Sequence, residues 1–591
     1  MSEILIGEYL FRRLKEIGIE TVFGVPGDYE LGLLDLVEPL GLSWVGTPNE
    51  LVGAYAADGY ARLKGAAALV TTFGPGELSA LCGIGGSFCE FVPVLHIVGY
   101  PTTAAQKSGR ILHHTLGDGN YDHYVNISSN FSCATAVLKD PINAAAEIDR
   151  VIEAMLLHSK PAYIGISEDV AYSKVSVSRL DQQIARSIPP SISSETGEDR
   201  AVEAIVGLLK SSKAPVLMVD GGAARPSWSK HIDPFVEALR IPFFVTALGK
   251  GTADESSPFY SGCFAGTGSC PQEVAEAVSE ADCILWLGNY PSDFNTGMFS
   301  EHVENSTVVD FQRFTIKIGE DTQYKASINH VLPKLITALN SLSLQLPQLK
   351  VRHPSQPSSS MTTGKDSTTP DAIEQDWLWS RLSNFLMPGD LVVTETGTAQ
   401  VGITATRFPS GCKGWSQVVY GSIGYATAAA AGAAFAVAEL HSQPKSPDND
   451  NTPIKRIVLI TGEGSLQLTV QAMSLLARQQ GDVRVVILVV NNNGYTVERF
   501  FRGMHAKYND VALWDYPTMF MAFAGPPGVF TPAVRGCRVD TKQELDAVLL
   551  KENAGAIPGL ARDNEGPLVS CHSLAHDYKP METSDAGSRP N

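Results

Sequence analysis

Residues 456–498 read RIVLITGEGSLQLTVQAMSLLARQQGDVRVVILVVNNNGYTVE. A hydrophobic run from Arg456 to Thr461 breaks at Gly462-Glu463-Gly464, and a helical pattern opens at Ser465. A second run, Val483 to Val490, ends in Asn491-Asn492-Asn493-Gly494-Tyr495. The pattern predicts two strands joined through a tight turn and a helix. Backbone N–H groups at such a helix start suit a phosphate. An acid in the turn can hold a divalent cation against that phosphate, and an Asn amide and a Gly carbonyl add neutral oxygen ligands. One carboxylate, one amide and one carbonyl around Mg²⁺ and a diphosphate make a cofactor anchor. A Gly-x-Gly turn alone is more often a bland strand–turn–helix junction; the Asn run after the next strand moves the reading towards a cofactor.

The same alternation extends over the chain. Strand-like runs at Thr21 to Val25, Ala67 to Thr72 and Val94 to Val98 are separated by helical patterns at Tyr29 to Val37 and Glu50 to Lys64. The alternation pauses over Lys174 to Asp199. It resumes with Pro215 to Asp220, Pro242 to Leu248, Cys283 to Gly288 and Thr307 to Phe311, and again with Leu391 to Glu395. Parallel strands with crossover helices follow. The fold class is α/β, with three doubly wound parallel-sheet domains expected at 1–185, 196–342 and 370–578. The Ser/Thr/Pro-rich stretch 347–369 reads as a flexible linker, Ser442 to Thr452 as a surface loop, and 579–591 as a tail.

Composition sets outer limits. A chain of 591 residues is too long for one core. Its 44% hydrophobic and 18% charged content is that of a well-buried globular protein. A formal charge of −18 argues against a general nucleic-acid binder. The nine cysteines are scattered singly, which fits free thiols in a reducing compartment. The N-terminus lacks the apolar core of a signal peptide, and its acids argue against a transit peptide. Ile4, Leu5, Tyr9, Leu10 and Leu14 form a packing stripe instead. No apolar run reaches membrane-spanning length. A cytoplasmic protein without membrane or nucleic-acid partners is the expectation.

The first third supplies a second constellation. VFGVPGDYE places Asp28 at a strand end, NELVGAYAADGYAR places Glu50 at a helix start, TTFGPGELSAL is a Gly-rich turn, and LHHTLGDG holds His113 and His114. Each has a dull alternative. Glu50 suits a helix dipole, Asp28 suits an Asx turn or N-cap, and the His pair suits a solvated loop. Together, and in this order, the segments resemble the pyruvate decarboxylase family of thiamine-diphosphate enzymes. The likeness continues through SDFNTGMF (Ser292 to Phe299), ETGT (Glu395 to Thr398), YGSIGYAT (Tyr420 to Thr427), GEGSLQLTVQ and NNNGYTVE.

The resemblance implies a pyrimidine-binding first domain, a middle domain and a diphosphate-binding third domain, with thiamine diphosphate and Mg²⁺ as cofactors. It implies non-oxidative decarboxylation of a 2-oxo acid, pyruvate or a larger or aromatic one, to an aldehyde and CO₂. By carry-over, Glu50 bonds the aminopyrimidine, Ile423 is the wedge that bends the cofactor, and the Gly421 carbonyl meets its amino group beside Ser422. Thr398, Gly464, Ser465 and Thr496 hold the diphosphate, with Tyr495 and Val497 alongside. Glu463, Asn492 and the Gly494 carbonyl hold Mg²⁺. Asp28, His113, His114 and Glu498 form the proton-transfer set. The family places its cofactor between subunits, so a homodimer or homotetramer is implied.

Departures qualify the match. Glu463 stands where the family usually has Asp, so the turn must shift or bind metal less well. Gly222 and Phe91 stand where substrate-activated fungal members carry Cys and His, so that relay should be missing. Val497 stands where strict pyruvate enzymes usually have Ile, Val401 replaces an aromatic, and Gln400 replaces a small residue. The rivals are an acyloin-forming carboligase sharing the same intermediate, and a catalytically silent structural relative.

Overall fold

Three sheets organise the chain, and strand order decides where a ligand can sit in each. A computed structural model describes residues 3–186, 188–223, 226–342, 345–347, 371–443, 454–478, 483–523, 535–554 and 567–572. The expected linker, the 442–452 loop and the tail lie outside the described residues, apart from 347, 442 and 443.

The first sheet runs Ser43–Gly46, Thr21–Gly24, Ala67–Thr72, Val94–Tyr100, Ala162–Ser167, Thr135–Leu138, parallel throughout. The third runs Lys413–Ser416, Asp390–Thr394, Arg456–Gly462, Arg484–Asn491, Pro567–His572, Arg535–Val539, also parallel throughout. Numbered by their own strands, both orders are 2-1-3-4-6-5. In such sheets a crevice opens outside the carboxyl ends of the two strands flanking the reversal. In the first sheet those strands end at Gly24 and Thr72; in the third, at Thr394 and Gly462.

The middle sheet departs from the all-parallel expectation. Five parallel strands from Pro215–Val219 to Thr307–Phe311 are followed by an antiparallel hairpin, Ile316–Ile318 and Thr322–Tyr324. The hairpin strands have three residues each, too short to show a period in the sequence. The crevice of this sheet is filled by its own groups. Asp220, fully buried, accepts from Thr246 Oγ1, Trp286 Nε1, the Tyr290 N–H and Asn295 Nδ2.

Two helices couple the first and third sheets. Glu50–Lys64 starts where the Asn49 side chain accepts from the Val52 N–H at 2.8 Å. It ends at Gly65 in the left-handed region, φ 90°. Most of its residues are buried, and many are Gly or Ala. It crosses the Ala-rich helix Tyr425–Ser442 so closely that a Cβ on Gly59 would lie 2.0 Å from the Ala429 carbonyl oxygen, and one on Gly432 1.8 Å from that of Ala56. A buried ionic cluster secures the crossing. Arg62 pairs with Asp58 and Glu90 at 2.7 Å each, and the Tyr425 hydroxyl donates to Asp58.

Candidate active site

At the first sheet's crevice, Gly27 and Asp28 follow the strand Thr21–Gly24, and Thr72 to Gly76 follow Ala67–Thr72. The loop carrying His113 and His114 closes over them. His113 Nε2 lies 2.7 Å from Asp28 Oδ2, and its Nδ1 lies 3.2 Å from the Tyr29 hydroxyl. The Tyr29 ring stacks on His113 at 4.8 Å. The imidazole is therefore held at both nitrogens, which fixes its orientation and couples its tautomer to Asp28. His114 adopts φ 70°, and Tyr124 donates to its carbonyl at 2.7 Å. Polar atoms of Asp28, His113 and His114 all lie within 4.8 Å of one another. Gly74 is required here: at φ 76°, a Cβ would come 2.5 Å from the His114 carbonyl oxygen. Glu50, half-buried at its helix start, faces Gly76, where a Cβ would lie 3.2 Å from Glu50 Oε1.

The third sheet's crevice holds the other group. Glu395, the residue after the strand Asp390–Thr394, is fully buried and accepts from the N–H groups of Thr396, Gly424 and Ala426 at 2.9, 3.1 and 3.1 Å. Burial pushes its carboxyl up to about 7 against those donors. It thereby ties Thr396-Gly397-Thr398 to the loop Gly421-Ser422-Ile423-Gly424. Ile423 stands 44% exposed on that loop, free to touch a ligand. Ser422 bonds Tyr55, and its N–H donates to Gln417 Oε1 at 2.7 Å.

The glycine turn is tighter than its sequence suggests. Glu463, not Ser465, is the first residue of the helix Glu463–Leu468, because Gly462 already takes the extended cap conformation. Glu463 is 3% exposed, and its Oε1 accepts from the Gly494 N–H at 2.6 Å. This bond joins the two halves of the motif quoted above. Asn493 at φ 63° and Gly494 at φ 129° turn the chain back. The Tyr495 ring lies over Gly464, where a Cβ would come 2.7 Å from it. Asn492, Thr496 and Val497 are half-buried, and Glu498 is exposed in the first turn of Thr496–Arg502.

Among the described residues, no hydrogen bond or ion pair joins Asp28, Glu50, His113 or His114 to Glu463, Asn492 or Glu498.

Comparison with known proteins identifies the domains that carry the two groups. Profiles described as thiamine pyrophosphate enzyme match in three parts: the N-terminal TPP binding domain at residues 5–122, the central domain at 202–339 and the C-terminal TPP binding domain at 395–558. Pyruvate decarboxylase isozyme 3 of Saccharomyces cerevisiae is 41% identical over 527 residues, 88% of this chain and 89% of its own. The pyruvate decarboxylase of Candida glabrata is 41% identical over 524 residues, again 88% and 89%. That of Aspergillus terreus is 38% identical over 555 residues, 94% and 92%. The chain belongs to the thiamine-diphosphate-dependent pyruvate decarboxylase family.

As a member of that family it is a carboxy-lyase acting on a 2-oxo acid with thiamine diphosphate, whose usual partner ion is Mg²⁺. The residues present fit that cofactor. Burial pushes the Glu463 carboxyl up, and among the described residues no Lys or Arg pairs with it. A buried acid with no cationic side chain on it is the kind of oxygen ligand a divalent cation takes. At the relay positions, Phe91 takes φ 58° and packs on Tyr290, and a Cβ on Gly222 would lie 2.5 Å from the Gly288 carbonyl oxygen. There is no room for a thiol at residue 222 as the backbone stands.

Sequence reasoning passed over three residues that build this family site. Tyr29 orients His113, Glu395 pins two loops together, and Glu77 anchors the Gly74 turn by accepting its N–H at 3.1 Å. Glu77 also accepts from Tyr163 and Ser128, and burial pushes its carboxyl up to about 7. All three lie inside quoted motifs, Tyr29 in VFGVPGDYE, Glu77 in TTFGPGELSAL and Glu395 in ETGT, but nothing in the sequence assigned them a role. Gln400, which replaces a small residue, is 6% exposed.

Proposed function

We propose that the enzyme decarboxylates 2-oxo acids larger than pyruvate at least as efficiently as pyruvate itself, giving an aldehyde and CO₂. Val497 and Val401 support this reading, since each is smaller than the residue it replaces. One methylene in a pocket is worth about 1–3 kcal/mol of discrimination, so pyruvate still reacts. The observation that carries the assignment of roles is the doubly held His113 beside Asp28, on the sheet edge that also presents Glu50.

In this reading Glu463, Asn492 and the Gly494 carbonyl hold Mg²⁺, and Thr398, Gly464, Ser465 and Thr496 hold the diphosphate. Gly421, Ser422 and Ile423 seat the rings, with Tyr495 and Val497 at the wall. When bound, thiamine diphosphate supplies the electron sink that lets CO₂ leave. The chain supplies the rest. Glu50 holds a proton against the aminopyrimidine. Glu498 lies beside the substrate carboxylate and disfavours charge there. His113, held by Asp28 and Tyr29, moves a proton to the product carbon, with His114 next to it. A homodimer or homotetramer in which different subunits complete each site is the assembly the family resemblance implies. Free described cysteines, and the lack of a described helix long and apolar enough to cross a membrane, are compatible with a cytoplasmic enzyme.

The test is kcat/KM measured side by side for pyruvate, a branched 2-oxo acid, phenylpyruvate and indolepyruvate, with products identified by mass spectrometry with and without an aldehyde acceptor. The larger acids should equal or exceed pyruvate. A preference for pyruvate of about tenfold or more, ~1.4 kcal/mol, refutes the substrate assignment.

A further inference from the structure

Glu30 lies two residues after Asp28 and is 1% exposed, yet neither of its carboxyl oxygens has a hydrogen-bond partner. Thr72 Oγ1, beside it, has none either. The space is cut to the side chain. A Cβ on Gly27 would lie 2.7 Å from Glu30 Oε1, and one on Gly99 2.5 Å from Oε2. Contact continues across the strand ends, since a Cβ on Gly76 would lie 2.9 Å from Thr72 Cγ2 and 3.2 Å from Glu50 Oε1. Glu30 therefore sits in the first crevice, next to Asp28 and one residue removed from Glu50.

The Thr72 hydroxyl and the N–H groups of Gly27 and Glu30 lie near enough to favour its charged form, but none closes a hydrogen bond of good geometry; burial outweighs them, and the group takes up a proton. Burial pushes the Glu30 carboxyl up to about 8, and the charge of Asp28 adds to this. Asp28, on its own loop, is the charged group acting on it; Thr72 and Gly99, from the neighbouring strands, bring none.

We propose that Glu30 is a positioning residue of the decarboxylation: its protonated carboxyl keeps the Asp28–His113 pair in its working charge state, and loss of that proton to bulk base sets the alkaline limit of turnover. This rests on the role proposed above for Asp28 and His113. Ionised Glu30 would put a second negative charge beside Asp28, and His113 would then hold its proton instead of passing it on.

The test is Glu30→Gln, which keeps the shape and cannot ionise, with Glu30→Met as an apolar second variant. The full-length enzyme, loaded with thiamine diphosphate and Mg²⁺, is assayed for kcat/KM between about pH 5 and 9.5. Wild-type turnover should fall with an alkaline midpoint near 8. Both variants should move that midpoint up by about one pH unit or more. An unmoved midpoint overturns the proposal. The second readout is the melting temperature of cofactor-free protein against pH. The folded carboxyl binds its proton more tightly than the unfolded one. Wild-type stability therefore drops, relative to Glu30→Gln, from the ordinary carboxylate range up to about 8 and levels off above it. A constant difference means that Glu30 is not a buried acid, which also overturns the proposal. If the wild type decarboxylates no 2-oxo acid, the functional reading falls and takes the proposal with it; an active enzyme with an unmoved midpoint removes the proposal alone.

Discussion

Replacing Glu463 separates its observed task, joining the motif halves, from its proposed one, holding the metal. Its Oε1 accepts from the Gly494 N–H at 2.6 Å in a nearly closed environment. Asp withdraws the carboxyl by one C–C bond, about 1.5 Å, stretching this contact to about 4 Å if the backbone stays. A hydrogen bond to a charged acceptor contributes about 1.5–3 kcal/mol. At about 2–4 °C per kcal/mol for a domain of some 200 residues, cofactor-free Glu463→Asp should melt several degrees below wild type. Its Mg²⁺-dependent cofactor binding should nevertheless be kept or improved, because the short acid restores the turn the family uses. Glu463→Ala removes both tasks and should lose cofactor retention altogether. The assay is Mg²⁺ titration of holoenzyme formation, followed by gel filtration and thiamine fluorescence of the retained cofactor. An alanine variant that holds cofactor as well as wild type would refute the assignment of Glu463 as a ligand.

Other outcomes follow from the same geometry. Glu50→Gln keeps its volume beside Gly76 but cannot exchange a proton; kcat should fall below about a tenth of wild type, a barrier increase above ~1.4 kcal/mol, while cofactor retention by gel filtration persists. Val497→Ile adds one methylene at the site wall and should raise the pyruvate-to-phenylpyruvate ratio of kcat/KM; an unchanged ratio would place residue 497 away from the substrate. Arg62→Ala strands the buried carboxylates of Asp58 and Glu90 and should destabilise the chain by about 3–5 kcal/mol. Urea unfolding that shows a loss under about 1 kcal/mol would mean that the cluster carries little of the coupling between the two helices.

What could be read from the sequence was whatever depends on near neighbours along the chain. Ala67–Thr72 and Thr307–Phe311 are apolar runs bounded by turn residues, and Glu50–Lys64 has an Asn cap and a closing Gly65; all three were found at their expected bounds. The glycine-rich turns marked both crevices because close packing of loop on loop leaves no room for a Cβ, as at Gly74 and Gly464. Tyr29, Glu30 and Glu395 were not legible, because the role of a polar side chain depends on what packs opposite. Glu30 becomes notable only when Gly99 and Thr72, from strands far along the chain, close over it. Glu395 matters because the N–H groups of Gly424 and Ala426 converge on it. The sequence shows neither.

The identical strand order of the first and third sheets explains why two unrelated-looking motif sets serve one reaction. In each, the chain reverses across the sheet between its first and third strands, and the loops leaving those strands carry the polar groups. They are Asp28 and Thr72 in one sheet, and Glu395 and Glu463 in the other. A crevice on a single sheet could grip either the pyrimidine end or the diphosphate end of a cofactor, but the proposed proton-transfer groups and the proposed metal anchor need separate supports. The helices Glu50–Lys64 and Tyr425–Ser442 set the spacing of those supports within a chain, through a contact so close that neither Gly59 nor Gly432 can gain a methyl without moving a backbone. Glu50 begins one of these helices, and the loop carrying Ile423 leads into the other. A shift in their crossing would therefore displace the proposed pyrimidine partner and the proposed wedge together, so helix packing far from any substrate is where the geometry of both half-sites is set.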